Sequence, residues 1–276
     1  MAIDATVHYI ARDEAYKAEK AFDTGFPVSH IPGARQTNHR VEPHGVKVHQ
    51  IRDPSRYALD VHGFCVIRAD LDINPHDAVT QLSEIQFSIW DKLERILERD
   101  FPQYTRIESY DLNVRKRDSD FPSITRGYTD FNQPSRKPHC DVSQQGALMD
   151  LRFAFPGQDH IWAGKDFDIL SVWLPLVGPN SDWPLVLCDW TTVDPDNDII
   201  DNDAIHRDHI EENSLLHYNS AHKWYYIKNQ TSSDLMVFRN ADSCGRRPRG
   251  FHCSIFNPDV SGPPRQSIEV RLVAFR

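Results

Sequence analysis

The residues best suited to chemistry in this chain are a histidine and an aspartate two positions apart, His139 and Asp141. Side chains two apart on an extended strand point the same way, so an imidazole and a carboxylate would stand side by side. Such a pair supplies two ligands of a two-His-one-carboxylate face, which binds iron(II) and leaves the opposite face open. In a chain with 14 His and 40 Asp plus Glu, spacing alone does not identify the site. Two further pairs of this kind occur: His206/Asp208 and His209/Glu211.

The third ligand distinguishes these pairs. His252 lies in an extended segment late in the sequence, and a jelly roll needs several strands between its early His-x-Asp and its late histidine. His139 leaves room for strand candidates that begin near positions 167, 185, 223 and 235, whereas His206 leaves only the last two. Both later pairs also fall in the acidic stretch 194–213, which predicts a solvated insertion whose helix would put two histidines one turn apart. We therefore expect His139, Asp141 and His252 to bind the metal.

A cosubstrate anchor is predicted shortly after His252. Arg265 and Ser267 open the final strand candidate and share one of its faces. A guanidinium can clasp a carboxylate through two hydrogen bonds, and the hydroxyl adds one more. This pair would suit the distal carboxylate of 2-oxoglutarate, whose keto-acid end chelates the metal. Arg271 faces the same way by parity and is the second candidate, while a surface arginine on an edge strand is the alternative interpretation.

The elements that must position these residues are mostly strands. Short extended segments separated by turn residues predict a mainly β fold with flanking helices and a double-stranded β-helix (jelly roll, cupin-like) core. The strand candidates lie at 5–10, 46–51, 63–68, 106–114, 167–176, 185–190, 223–228, 235–238, 250–256 and 266–275. The clearest helix runs from about Pro75 to Arg99, capped by Asn74 and carrying one apolar stripe. Another helix is predicted through 145–153, and no linker divides the chain, so we expect one domain over 1–276.

Composition limits the class of protein. The chain has 276 residues and a formal charge of -9, which argues against non-specific nucleic-acid binding. Five Cys at no zinc-ribbon spacing indicate a reducing compartment, and the N-terminus lacks a signal-peptide pattern. No apolar run approaches the ~18 residues of a membrane span. We therefore expect a cytoplasmic monomer or homodimer that acts on a small molecule, without a membrane or nucleic-acid partner.

Several motifs occur in a characteristic order along most of the chain. They are Val-His-Tyr at 7–9, Leu-Asp-Val-His-Gly-Phe at 59–64, His-Cys-Asp-Val-Ser at 139–143, Ser-Val-Trp-Leu-Pro-Leu at 171–176, Pro-Leu-Val-Leu-Cys-Asp at 184–189, Lys-Trp-Tyr-Tyr at 223–226, Leu-Met-Val-Phe at 235–238 with Asp-Ser at 242–243, and Arg-Gln-Ser-Ile-Glu-Val-Arg at 265–271. In this order the chain resembles the non-heme iron family of fungal gibberellin desaturase, asaB-type hydroxylases and the bacterial cephem methoxylase. The resemblance implies Fe(II), 2-oxoglutarate as cosubstrate and O2, with hydroxylation or desaturation of a small, secondary metabolite in a biosynthetic pathway.

Other functions stay open at this point. Because Asp141 is a carboxylate rather than Ala or Gly, it leaves no halide position on the metal, which favours a hydroxylase or desaturase over a halogenase. A cupin-like domain could bind metal without turnover. A zinc hydrolase could use His206 and His209 instead.

Substrate contacts are predicted at aromatic and at basic residues. Aromatic candidates for pocket walls are Trp173, Trp224, Tyr225 and Tyr226, although aromatic residues on strands more often belong to the core. Basic residues precede both halves of the metal face: 115–117, Arg126, Arg136 and Lys137, then Arg246, Arg247 and Arg249. A positive potential there would favour a substrate that bears a carboxylate, with Arg246 among its contacts. Solvated loop charges paired with Asp118, Asp120 and Asp130 are the alternative.

Overall fold

The computed structural model describes residues 2–123, 129, 131–260 and 262–276. Strands predominate there. They are β1 (Ala2–Ile10), β2 (Ala21–Thr24), β3 (Val41–Gln50), β4 (Phe64–Arg68), β5 (Arg106–Lys116), β6 (His139–Cys140), β7 (Phe167–Pro175), β8 (Leu185–Cys188), β9 (Ile199–Ile205), β10 (Ile210–Leu216), β11 (Trp224–Tyr226), β12 (Asp234–Asp242), β13 (His252–Ser254) and β14 (Gln266–Phe275). The helices are α1 (Ala15–Ala18), α2 (Leu59–His62), α3 (Pro75–Thr80), α4 (Leu82–Asp100), α5 (Gly146–Ala154) and α6 (Pro195–Asp198).

Two facing sheets form a jelly-roll core, as the strand pattern predicts. The larger sheet has the order β1-β3-β11-β8-β13-β6-β10-β9-β2, and the smaller has the order β4-β12-β7-β14-β5. Apolar side chains of β7, β12 and β8 pack together between the sheets, with Trp173, Phe238 and Leu187 fully buried. The outer face of the smaller sheet packs against α4, which buries Ile89, Leu93 and Leu97. The mainly β fold with flanking helices is therefore confirmed.

The predicted helix over Pro75–Arg99 is interrupted. Asn74 caps α3 as expected, since its side chain accepts a hydrogen bond from the backbone N–H of His76. The chain then leaves helical geometry at Gln81, with φ -136° and ψ 33°, and α4 begins one residue later. The break follows the β-branched pair at 79–80, which has a low preference for helix. The apolar stripe of α4 still faces the sheet.

The prediction that 194–213 forms a solvated insertion was wrong. Most of this stretch lies in α6, β9 and β10, within the larger sheet. Its acids have specific partners: Glu212 and Asp203 both contact Lys20, while the buried Asp198 contacts Arg12 and His222. The partners come largely from the N-terminal segment, so the charge density of the stretch did not indicate exposure. His206 and His209 accordingly lie on a hairpin turn between β9 and β10, not on a helix.

Candidate active site

Three side chains converge between the sheets. His139 on β6 and His252 on β13 are paired directly across adjacent strands of the larger sheet, and Asp141 follows β6 by one residue. Asp141 Oδ1 lies 3.5 Å from Nε2 of His139 and 3.6 Å from Nε2 of His252. The three ligand atoms lie within 4.8 Å of one another, so a single ion could contact all of them. The structure thus brings together the residues that the spacing predicts.

Backbone carbonyls orient both imidazoles. His139 Nδ1 lies 2.8 Å from the carbonyl oxygen of Lys137, and His252 Nδ1 lies 3.1 Å from that of Gly250. A carbonyl oxygen can only accept, so each Nδ1 carries the proton and donates. Each Nε2 is then left with its lone pair directed toward Asp141. This arrangement fixes tautomer and ring orientation, as the partners of metal-binding histidines do.

The Asp141 carboxylate is held from its far side. Ser171 on β7 donates to Asp141 Oδ2 at 3.0 Å, and Asn240 on β12 donates to the Ser171 hydroxyl at 2.9 Å. The same Asn240 accepts from the backbone N–H of Asp141 at 3.0 Å. The other oxygen, Oδ1, therefore faces the two imidazoles. The smaller sheet supplies these orienting groups, whereas the larger sheet supplies the histidines.

The electrostatics favour the protonation states that a divalent ion requires. Burial, followed by the neighbouring His139, lowers the pKa of His252 to about 3, so the ring is neutral near pH 7. Burial alone would raise the pKa of Asp141, but His252, His139 and Arg271 hold it well below its usual range. Two neutral imidazoles and one carboxylate form the donor set that non-heme Fe(II) takes, with open positions opposite. The residues present therefore fit Fe(II).

Arg265 is a buried cation without a carboxylate partner among the described residues. Its side chain donates to Ser267 Oγ at 3.1 Å, to the Trp183 carbonyl at 2.8 Å and to the Ser254 hydroxyl. The guanidinium carbon also lies 4.9 Å from the centre of the Trp173 ring. Burial, then the nearby Arg115, lowers the pKa of Arg265. Two carboxyl groups beyond ion-pair distance, Glu269 and Asp182, only partly offset this effect.

Arg271, the second candidate anchor, is already paired. Its guanidinium lies 3.1 Å from Asp150, 3.8 Å from Asp111 and 4.0 Å from Asp141. Tyr110 also donates to Asp150, which completes a buried polar group beside the metal ligands. Arg271 therefore has three carboxylates near it, whereas Arg265 has no ion-pair partner in the part of the chain that the structure describes.

A cavity of about 900 Å³ opens over His139 and Asp141. Its walls combine apolar side chains with many polar ones that sequence reasoning missed, among them Thr24, Gln36, Asp111, Asn113, Asn132, Gln133, His206, Glu211 and Asn213. The part of this wall that β5 contributes could have been predicted from the sequence. Polar residues occupy alternate positions 111, 113 and 115 of β5, and these pair with Arg271, Glu269 and Ser267 of β14. Cross-strand partners share a face, so β5 presents this polar row to the same side as the predicted anchor.

Glu269 is a further residue that the sequence did not single out. It lies between Ser267 and Arg271 on β14, on the face that they share. Burial, then the nearby Asp141 carboxylate, raises the pKa of Glu269. A carboxyl group that favours its neutral form therefore stands beside the metal ligands.

The aromatic candidates for substrate contact divide into two groups. Trp173 lies beneath Arg265, beside the predicted cosubstrate anchor. Trp224 and Tyr226 pack in a separate apolar cluster, where Trp224 donates to the hydroxyl of Tyr9. Neither lies in the cavity wall, so Trp224 and Tyr226 have the positions of core residues. Tyr225 packs against Tyr57 and likewise lies outside the wall.

The basic groups before His252 also lie away from the cavity. Arg246 is exposed, Arg247 pairs with Asp166 and Asp168, and Arg249 is buried in hydrogen bonds to backbone carbonyls and Ser214. The prediction that Arg246 contacts substrate is therefore not supported. Arg115 and Lys137, from the other basic group, do line the cavity. Of that group, Arg117 pairs with Asp182, Arg136 contacts His8, and Arg126 lies outside the described residues, as does Asp130.

A jelly roll that gathers two histidines and a carboxylate between its sheets is the architecture of non-heme iron oxygenases that use 2-oxo acids. A family model described as "Oxidoreductase/YMDC permease-like domain" matches residues 7–275. The Fe(II)/2-oxoglutarate-dependent dioxygenase nvfI of Aspergillus novofumigatus is 30% identical over 271 residues, 91% of this chain and 90% of that protein. The gibberellin cluster GA4 desaturase of Gibberella fujikuroi is 24% identical over 173 residues, 51% of this chain and 50% of that protein.

Solved structures agree with these relatives. A structure of the iron and alpha-ketoglutarate-dependent endoperoxidase NvfI superposes with a TM-score of 0.85 at 26% identity, and the match covers 100% of this chain and 98% of that chain. This chain belongs to the same family, the Fe(II)/2-oxoglutarate-dependent dioxygenases of secondary metabolism. Its cofactors are Fe(II) and 2-oxoglutarate, and its oxidant is O2. In the part of the chain that the structure describes, no helix has both the length and the apolar character needed to cross a bilayer.

Proposed function

We propose that His139, Asp141 and His252 hold Fe(II), and that the enzyme hydroxylates or desaturates a C–H position of a small metabolite. The observation that carries the assignment is the convergence of three ligand atoms: both imidazoles donate through Nδ1 to the carbonyls of Lys137 and Gly250, and Ser171 donates to the outer oxygen of Asp141. Bound iron supplies the activation of O2, coupled to conversion of 2-oxoglutarate to succinate and CO2. The whole chain, 1–276, acts as one catalytic domain, a proposal supported by a family match over 7–275.

The protein's own part in this chemistry is to bind and to orient. Arg265 and Ser267 receive the distal carboxylate of 2-oxoglutarate, because the Arg265 guanidinium is buried without an ionic partner among the described residues. Burial keeps water from competing for the guanidinium and strengthens each bond to the bound anion. Trp173 fixes the plane of the guanidinium by stacking. Arg271 instead keeps Asp141 ionised and in place.

The substrate is proposed to be a polar small molecule that bears a carboxylate. The cavity of about 900 Å³ could enclose such a molecule beside His139 and Asp141. Two cations, Arg115 and Lys137, lie in its wall, and no described carboxylate lies within ion-pair distance of Arg115. Arg115→Gln should therefore weaken substrate binding more at low salt than at high salt. Lys116→Gln is the matched control, because Lys116 is exposed on the same strand.

The iron assignment is tested by anaerobic titration with Fe(II) and 2-oxoglutarate, followed by assay of succinate after O2 is admitted. The wild-type chain should develop the weak visible absorption band of an iron-bound 2-oxo acid. His139→Ala, Asp141→Ala and His252→Ala should each lose the band and turnover, with the fold retained in circular dichroism. His160→Ala, at an exposed histidine outside both groups of candidate ligands, is the control and should keep both, while His206→Ala should keep the band. Loss of the band in His206→Ala, with the band retained in His139→Ala, would show that His206 and not His139 holds the iron. Metal uptake without formation of succinate would indicate a metal-binding protein without this activity.

A further inference from the structure

A second group of metal-binding side chains lies in the turn between β9 and β10. His206, His209 and Glu211 place their ligand atoms within 4.8 Å of one another. His209 Nε2 lies 3.1 Å from Glu211 Oε1, and His206 Nε2 lies 3.4 Å from Glu211 Oε2. With bonds of about 2.0–2.2 Å to N and O ligands, a tetrahedral zinc ion separates its ligands by about 3.3–3.5 Å. Both separations are near this range, and they end on different oxygens of Glu211.

The imidazole nitrogens are directed as a metal would need. His209 Nδ1 lies 2.8 Å from Asp208 Oδ1, and a carboxylate at that nitrogen leaves Nε2 as the donor atom. His206 Nε2 is buried and has no hydrogen-bond partner among the described residues, although Glu211 is near it. A buried ring nitrogen without a partner is costly in a folded protein. A bound cation would relieve that cost.

The surroundings hold the two rings in place. The hairpin is closed by the His206 N–H, which donates to the His209 carbonyl at 2.9 Å. The two rings stack 4.6 Å apart, and Phe153 of α5 stacks on the other side of His209 at 4.1 Å. Gly25 lies against His206, where a β-carbon would come within 3.3 Å of Nδ1. The planes of the two imidazoles are 7° apart, so one ring must turn before both Nε2 lone pairs point at one ion.

The open side of this group faces the cavity. His206 and Glu211 line the same cavity as His139 and Asp141, so both groups of ligands border one chamber. Two histidines and one glutamate form the donor set of zinc sites that keep a position for an exogenous ligand. We propose that His206, His209 and Glu211 bind a second divalent ion of the zinc class, whose open position accepts an oxygen donor within the cavity. The site is separate from the iron face and does not depend on the proposed reaction.

The test measures metal stoichiometry in the chelator-stripped, full-length protein. Zn(II) is titrated in competition with a chromophoric chelator, and Co(II) reports coordination through its visible bands. Wild type should bind two equivalents, and His139→Ala/His252→Ala should keep one. Adding His206→Ala/His209→Ala to that variant should remove the last equivalent. Asp208→Asn should weaken the second site about 10- to 100-fold.

His160→Ala is the matched control, because His160 is an exposed histidine outside both groups and its loss should change nothing. If the fourfold variant does not fold, the single change His209→Gln replaces it, with thermal melting as the check. One equivalent in the wild type, or a remaining equivalent that ignores His206 and His209, would overturn the proposal. An unchanged Co(II) spectrum on addition of acetate would refute the open position. Iron binding by His139, Asp141 and His252 is measured separately through the visible band with 2-oxoglutarate. Failure of the iron assignment can therefore be distinguished from failure of the second metal site.

Discussion

Replacement of Arg265 gives the sharpest test of how the cosubstrate is held. Arg265 is 2% exposed, its guanidinium makes hydrogen bonds to neutral oxygens only, and no carboxylate of the described residues lies within ion-pair distance of it. Arg265→Met keeps much of the side-chain volume but removes the charge. Loss of one partner of a buried charged pair costs about 2–5 kcal/mol. Since about 1.4 kcal/mol is a factor of ten, the dissociation constant for 2-oxoglutarate should rise by about 30- to 4,000-fold.

Arg265→Lys should recover part of this loss. A lysine restores the charge but presents a single ammonium in place of a planar fork, so only one strong bond to the carboxylate is expected. The measurement is the anaerobic titration of 2-oxoglutarate into the Fe(II)-loaded variants, followed through the visible band. Fe(II) affinity measured without cosubstrate should stay near the wild-type value, because Arg265 contacts none of the three metal ligands.

Arg271→Met is the comparison variant, since Arg271 lies on the same face of β14. It neighbours Asp150, Asp111 and Asp141, so its loss should weaken Fe(II) binding more than cosubstrate binding. The reasoning is refuted if Arg265→Met binds 2-oxoglutarate within about threefold of wild type, a change below about 0.7 kcal/mol. A large cosubstrate defect in Arg271→Met, with normal Fe(II) affinity, would transfer the anchor to Arg271.

Three further predictions concern the support of Asp141, a buried histidine and a constrained glycine. Ser171→Ala removes the donor to Asp141 Oδ2, so Fe(II) affinity measured by titration should fall about 10- to 100-fold. Burial lowers the pKa of His222 below its usual 6.5, so just below that pH the unfolded chain takes up a proton that the folded chain does not. The free energy of unfolding, measured in urea, should therefore fall as the pH is lowered. His222→Gln should reduce this dependence on pH by up to about 1.4 kcal/mol per pH unit. Gly63 has φ +79°, and a β-carbon there would lie 2.1 Å from a backbone oxygen. Gly63→Ala should therefore destabilise the protein by more than about 2 kcal/mol, as measured by thermal melting. Gly157→Ala is the control, because Gly157 has φ +75° in open space, and it should cost about 1–2 kcal/mol. The same dependence of stability on pH in wild type and His222→Gln would contradict the second expectation, and equal melting shifts for the two glycine variants would contradict the third.

Most strand positions and the metal-binding candidates could be predicted because they depend on local pattern. Parity alone put Arg265, Ser267 and Arg271 on one face of the final strand. In the structure Ser267 and Arg271 pair with the polar row of β5, and Arg265, which precedes β14 by one residue, donates to Ser267. The separation of His139 from His252 along the sequence identified the pair that meets across β6 and β13. These inferences needed only the repeat of a strand and the number of strands in a jelly roll.

The acidic stretch could not be predicted because its partners are distant in sequence. Lys20 neutralises Asp203 and Glu212, and β2 adds to β9 as a parallel strand. Without knowledge of those contacts, six Asp and two Glu in twenty residues predict a solvated surface. The same distance concealed the turn at His206 and His209, which reaches the cavity only because β9 and β10 belong to the larger sheet.

The substrate contacts are hard to predict for a different reason. Residue type does not distinguish a core aromatic residue from a pocket wall, because both favour strands. Trp224 is fully buried with its N–H bound to Tyr9, whereas Trp173 lies next to the charged Arg265. Only the position of each strand within its sheet separates the two cases.

The metal face depends on both sheets at once. The larger sheet supplies His139 and His252, while Ser171 and Asn240, which orient Asp141, come from the smaller sheet. Arg265 of the smaller sheet likewise donates to Ser254 on β13 of the larger one. Small residues of both sheets thus keep the ligands and the predicted anchor in register. The packing between the sheets is therefore part of the site, because a shift of one sheet relative to the other would separate the histidines from the carboxylate that completes their face.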